Sequence, residues 1–165
     1  MRNLTKNRLS ELKARPTTLP KQDPYADAHK PSGVVTCTAC HAFHERGHWK
    51  WGAVPSGAST ALCPACRRIK DRCPAHVLRL DGVPKDRRQE LVALVHRVAE
   101  EECRDHPLER LMSLEDAADL IEIRTTGAQL PRRLRASIAR AFRQRFASKF
   151  SAEHSAMTWK AAAPH

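Results

Sequence analysis

The chain has 165 residues, with 29 Lys and Arg against 18 Asp and Glu, a formal charge of +11. No stretch approaches the ~20 consecutive apolar residues that span a bilayer, and the first residues lack the apolar core of a secretory leader. A cytoplasmic protein with no membrane partner is therefore expected, one whose six cysteines stay reduced and whose positive field favours polyanions such as RNA or DNA.

Residues 1–32 read as a basic, largely disordered tail. They hold Pro16, Pro20, Pro24 and Pro31, and seven basic residues against Glu11, Asp23 and Asp27. Such a composition buries too little apolar surface to order itself. A short helix over residues 4–12 fits its leucines, and the tail is either a nucleic-acid arm or an inert linker.

Residues 33–76 form a cysteine module. Val34 and Val35 lead into Cys37-Thr38-Ala39-Cys40, and His48-Trp49-Lys50-Trp51 has strand character. The soft stretch from Gly52 to Thr60 reads as a loop. Cys63-Pro64-Ala65-Cys66 then opens into one or two helical turns that end near Pro74. The two CxxC pairs are separated by 22 residues. Each CxxC turn presents two thiolates from one knuckle, and two knuckles complete the tetrahedral shell that zinc prefers. One structural zinc on Cys37, Cys40, Cys63 and Cys66, within a zinc ribbon or treble clef, is the expectation. An iron–sulfur cluster or a redox dithiol is the competitor, although a redox CxxC usually stands alone. His41, His44, His48, Cys73 and His76 are rival ligands, read as bystanders because four cysteines already fill the shell. Cys103 reads as a half-buried thiol near a helix end.

Residues 77–161 alternate strand and helix signals. A strand over 77–80 precedes a helix that starts at Pro84 and runs to about Cys103, with Leu91, Leu94, Val95 and Val98 at helical spacing. Strands are expected over 108–114 and 120–126, with a turn from Asp116 to Asp119 between them. In the second strand Ile121, Ile123 and Thr125 alternate against Glu122 and Arg124. A helix over 128–147 carries Leu130, Leu134, Ile138, Ala141 and Phe142 on one side, and a last strand falls within 149–160 with Met157 and Trp159 pointing one way. The order is βαββαβ, that of a ferredoxin-like domain, so the whole is an α+β chain.

The last helix carries Arg132, Arg133, Arg135, Arg140, Arg143 and Arg145, with no acidic residue between Ala128 and Lys149. Arg132, Arg133, Arg140 and Arg143 cluster opposite the apolar stripe. Unmixed arginines repel one another on a helix, and phosphates relieve that repulsion. The alternative is a solvated face. Arg67, Arg68, Lys70 and Arg72 make a second patch beside Trp49 and Trp51, which either stack on unpaired bases or cap a small core. An RNA-recognition motif shares the βαββαβ order but stacks bases on aromatic strand residues. Residues 77–80 and 120–126 contain none, so sheet-face reading of that kind is not expected. No nucleophile–base pair, phosphate-cradling glycine loop, carboxylate dyad or HxE deaminase pattern is present, so no enzyme and no small-molecule substrate are expected.

Asp23-Pro24-Tyr25, the two CxxC pairs, His48-Trp49-Lys50-Trp51-Gly52, Arg67-Arg68-Ile69-Lys70-Asp71, His106-Pro107-Leu108-Glu109-Arg110 and Thr125-Thr126 together resemble a family of small proteobacterial zinc-ribbon proteins. That resemblance covers nearly the whole chain. The cysteine region alone is similar to the nonsense-mediated-decay-three ribosome adaptors. The resemblance implies an RNA- or ribosome-associated role, which a zinc knuckle by itself does not establish. The expectation is a non-enzymatic zinc protein that binds structured RNA, ribosomal in the sense the resemblance implies. Arg132, Arg133, Arg140 and Arg143 would contact phosphates, with Arg67, Arg68 and Lys70 in support. The alternative is a protein-interaction or transcription-associated zinc module with incidental charge.

Overall fold

A computed structural model describes Tyr25, Pro31 and residues 33–117, 119–143, 145–150 and 154–160. The tail and its short helix, Tyr25 and Pro31 apart, lie outside the described residues.

The first sheet belongs to the cysteine segment. Its strands are β1 (Val35–Cys37), β2 (Phe43–Glu45), β3 (His48–Lys50) and β4 (Ser59–Ala61), and helix α1 (Pro64–Asp71) follows. The spatial order is β3-β2-β1-β4. β2 and β3 form an antiparallel hairpin turned by Arg46 and Gly47, both at positive φ. Gly47, without a Cβ, enters that region freely. The expected loop from Gly52 to Thr60 gives up its end to β4, which runs parallel to β1 with Cys37 opposite Ala61. That parallel pairing brings the two distant CxxC segments out at the same end of the sheet.

The second sheet holds β5 (His76–Asp81), β6 (Leu111–Ala117), β7 (Leu120–Thr125), β8 (Phe146–Phe150) and β9 (His154–Trp159). Helix α2 (Lys85–Asp105) follows β5, and α3 (Gln129–Ala141) follows β7. Leu91, Leu94, Val95 and Val98 of α2 and Leu130, Leu134 and Ile138 of α3 are buried, as their spacing requires. They meet Leu78, Leu80, Ile121, Ile123 and Met157 from the sheet in one core. Met157 and the half-buried Trp159 both belong to that core, on one side of β9.

The α+β class holds, but the finish of the second sheet differs from the sequence expectation. The last helix ends at Ala141 rather than Ala147. There Phe142 donates to Ile138 O and Arg143 enters the left-handed region at φ 46°. Residues 149–160 are not a lone strand. They contribute to the β8–β9 hairpin, and β9 lies parallel to β5. The sheet order is β6-β7-β5-β9-β8. A four-stranded βαββαβ sheet is thus replaced by five strands ending in a hairpin. Edge-on contacts among Phe142, Phe146 and Trp159, with centroids 5.1–6.2 Å apart, hold that hairpin against the end of α3. β6 also starts later than expected and runs through Asp116 and Ala117, while Pro107 and Leu108 form a turn.

Buried charge completes the packing. Arg88 of α2 is nearly fully buried. It bonds Asp116 through Nε at 2.7 Å and through Nη2, and Nη2 also reaches Ala117 O at 2.7 Å. This guanidinium pins the end of β6 to the first turns of α2.

Candidate metal centre and basic surfaces

Cys37 closes β1, and Cys40 follows across a turn in which His41 N–H donates to Cys37 O at 3.0 Å. Cys63 follows β4 and serves as the N-cap of α1, with Pro64 in the first turn, where a missing N–H costs nothing. Its Sγ accepts the Cys66 N–H at 3.3 Å, and Cys37 Sγ accepts the Cys63 N–H at 3.3 Å. The positive end of α1 therefore faces sulfur.

The ligand atoms of Cys37, Cys40, Cys63 and Cys66 lie within 4.8 Å of one another. Cys40 Sγ and Cys63 Sγ are 3.8 Å apart, far beyond the ~2.05 Å of a disulfide. A tetrahedron with metal–sulfur bonds of about 2.3 Å has edges of about 3.8 Å, so the set suits one tetrahedral ion. An iron–sulfur cluster places several atoms between its cysteines and requires them farther apart. Among the described residues, no other group of three or more His, Cys, Asp or Glu converges in this way.

Burial pushes the Cys37 thiol up, but backbone N–H groups of Cys63, Cys40 and Ala39 more than offset this and hold its pKa down at about 6. Burial dominates at Cys63 and Cys66, whose thiols are pushed up. Those two shed protons readily only against a compensating cation, as ligand thiols do on a metal.

The rival ligands stand elsewhere. His44 is buried, its Nδ1 3.4 Å from Gly33 O and its ring 5.6 Å from Trp49. His76 lies on β5 with Nε2 2.9 Å from Ser155 Oγ. His41 and His48 are exposed and Cys73 is half-buried, none of them within the sulfur cluster. Trp49 packs against the cysteines. Trp51 is more exposed and donates from Nε1 to Cys103 O at 2.8 Å. Both indoles therefore have structural contacts of their own.

Sequence spacing gave no hint of Arg110. Its Nη1 donates to Cys66 Sγ at 3.4 Å and its guanidinium lies over the Trp51 ring at 5.4 Å. Burial opposes its charge, but the adjacent Cys40 and the field of Cys66 and Cys63 outweigh that and raise its pKa. An arginine after a turn carries no local signature of such a contact, which spans 44 residues of chain.

The two basic patches are not uniformly free. On α3, Arg132 and Arg140 are exposed and form no ion pair among the described residues; Arg143, expected on the same helical face, lies beyond the helix end at Ala141 and is likewise exposed without an ion pair among them. Arg133 is engaged, with Nη1 2.6 Å from Glu102 and Nη2 3.3 Å from Glu101 of α2. The absence of acid within its own helix concealed carboxylates on the neighbouring one. On α1 Lys70 is exposed and Arg67 half-buried, and Arg72, the C-cap, is exposed. Arg68 is buried, lies 4.4 Å over the Tyr25 ring and donates to Cys73 O at 3.4 Å. Tyr25 in turn donates to Asp71 Oδ2 at 2.6 Å, a bond that raises the phenol to about 12. Arg68 is a structural clamp for Tyr25. Arg143 also lines, with Arg145, Phe142 and Trp159, an open cleft of about 600 Å³.

No helix among the described residues is long and apolar enough to cross a membrane. The fold and the four sulfurs define an α+β chain with one candidate tetrathiolate metal centre. No protein-family model, curated protein or solved structure matches it.

Proposed function

We propose that the chain is a non-enzymatic zinc protein that binds structured RNA, with the ribosome as its setting. Zinc is the ion favoured by four thiolates in a closed tetrahedral shell, a set that leaves no open position for a catalytic water. The order knuckle, hairpin, then helix bearing the second pair favours a treble clef over a ribbon. The zinc is structural.

The observation that carries the RNA reading is the outer face of α3, where Arg132 and Arg140 stand exposed without a carboxylate partner among the described residues, joined by the exposed Arg143 just past the helix end. Guanidinium groups so placed suit phosphate oxygens, which accept paired N–H donors. Arg67 and Lys70 on α1 add to the field. Arg68 and Arg133, spent within the protein, do not.

Binding to ribosomal RNA, titrated at increasing salt, tests this. Log affinity is expected to fall with log salt by roughly 0.7–0.9 for each phosphate neutralised. The variant Arg132→Glu/Arg140→Glu/Arg143→Glu should weaken binding and flatten the slope by about 2–3, the sum for three phosphates no longer neutralised. A flat salt response in the wild type would remove the electrostatic basis of the proposal. Partner capture that survives the triple reversal would instead mark a protein-interaction module.

A further inference from the structure

The loop from His106 to Arg110 touches two distant parts of the molecule at once. On one side Leu108 packs against the cysteine cluster. Arg110 reaches Cys66 Sγ with Nη1 at 3.4 Å while Nε donates to Pro107 O at 2.6 Å. Its Nη2 is buried with no hydrogen-bond partner among the described residues. On the other side, the Leu130 N–H donates to Glu109 Oε2 at 2.9 Å. Leu130 lies in the first turn of α3, whose N-cap, Ala128, offers no side-chain acceptor. A Cβ at Gly127 would collide with that same carboxylate. Thr126 fastens the loop from behind: its Oγ1 accepts the Arg110 N–H at 2.8 Å and donates to Leu108 O at 2.6 Å.

Four thiolates around one divalent ion carry a net charge of about −2, and N–H donors around such a shell orient the sulfurs and spread that charge. A half-buried guanidinium held against one sulfur is such a donor, and it comes from outside the cysteine segment. The adjacent residue meanwhile supplies the acceptor that an α-helix needs for its first free N–H groups.

We propose that this loop is the junction between the metal centre and the arginine helix: Arg110 is a positioning residue for the thiolate shell, and Glu109 beside it caps α3. Metal occupancy then sets the order of the first turn of α3. The inference rests on the metal reading of the four cysteines and is independent of the RNA reading.

The test uses the full chain, metal-loaded and chelator-treated, as wild type, Arg110→Met, Arg110→Lys and Glu109→Gln. The readouts are zinc transfer to a chromophoric chelator and hydrogen exchange at the Leu130 amide. Arg110→Met should accelerate zinc transfer by roughly 10–100-fold, the usual effect of losing an outer-shell partner, and Arg110→Lys should restore part of it. Exchange at Leu130 should rise several-fold when wild-type metal is removed, and in loaded Arg110→Met as well. Glu109→Gln should speed that exchange while zinc transfer stays at the wild-type rate. Two results overturn the junction: zinc held by Arg110→Met as tightly as by wild type, or Leu130 exchange indifferent to metal while the Cys37 and Cys63 amides respond. A wild type without stoichiometric metal overturns the metal reading and the junction with it. Loss of RNA binding alone touches neither.

Discussion

Stripping the metal from the protein, or replacing Cys63 by serine, is expected to unfold residues 33–75 while the five-stranded sheet persists. The cysteine segment buries few apolar side chains of its own. Val35, Ala42, Phe43 and Ala65 are its buried hydrophobic residues besides the cysteines. Two of these are alanines, and fully burying a Val or Phe side chain contributes only about 1.5–3 kcal/mol. Fixing one residue's backbone costs about 1–2 kcal/mol, so four such side chains cannot order a segment of this length. Structural zinc in isolated fingers contributes on the order of 10–16 kcal/mol, enough to decide the matter. Cys63 has two tasks, as a ligand candidate and as the N-cap whose Sγ accepts the Cys66 N–H. Serine at this position keeps an N-cap acceptor for the Cys66 N–H, so the variant removes the ligand alone and any unfolding reports on the metal site. The expected signs are loss of stoichiometric metal by elemental analysis and loss of protection at the Thr38 amide, which donates to Ala61 O across the parallel strands. The Leu78 and Ile123 amides, deep in the second sheet, should stay protected. A Cys63→Ser protein that retains Thr38 protection would show that the segment folds without the ion.

The parts legible in the sequence are those governed by local spacing. The CxxC pairs announce their convergence because a tetrahedral shell leaves few other uses for that pattern. The buried faces of α2 and α3 follow from helical periodicity. What escapes depends on partners far along the chain. Phe142 continues the stripe of Leu134 and Ile138, so periodicity alone runs the helix past its true end; the stop comes from ring packing against Trp159. β4 stays hidden because all of Ser59–Ala61 is exposed and nothing alternates there. Long charged side chains look like free surface in the sequence, yet several are buried or tied to a neighbouring element. Arg68 clamps Tyr25, Arg88 anchors Asp116, and Arg133 answers Glu101 and Glu102. Arginine buries its stem and carries its own donors, so its pattern in sequence does not reveal which side of the surface it occupies.

Glu122 makes that point most sharply, and Glu122→Gln is expected to cost the second sheet about 3–5 kcal/mol. The alternation along β7 places this residue on the face away from the helices, where a glutamate ordinarily meets water. Its side chain is instead 0% exposed. Oε2 accepts from Arg79 Nε at 2.9 Å and lies 2.8 Å from Arg79 Nη2, and Oε1 accepts from Arg124 Nε at 2.8 Å. The two arginine side chains are only 20% and 16% exposed. Neutralising the carboxylate removes the charge that both of these poorly solvated guanidinium groups share. That loss sets the size of the effect. Thermal unfolding should drop by more than ~10 °C, since 1 kcal/mol shifts a domain of 60–100 residues by about 4–8 °C. The triple variant Arg79→Met/Glu122→Leu/Arg124→Met should recover most of the loss, because it removes the three charges of this triad together. Equal melting of Glu122→Gln and wild type would mean that water already serves these arginines. The same triad occupies the face on which an RNA-recognition motif displays its aromatic rings. Polyanion contact through that face would compete with the triad, whereas Arg132 and Arg140 on the outer side of α3 are exposed and form no ion pair among the described residues.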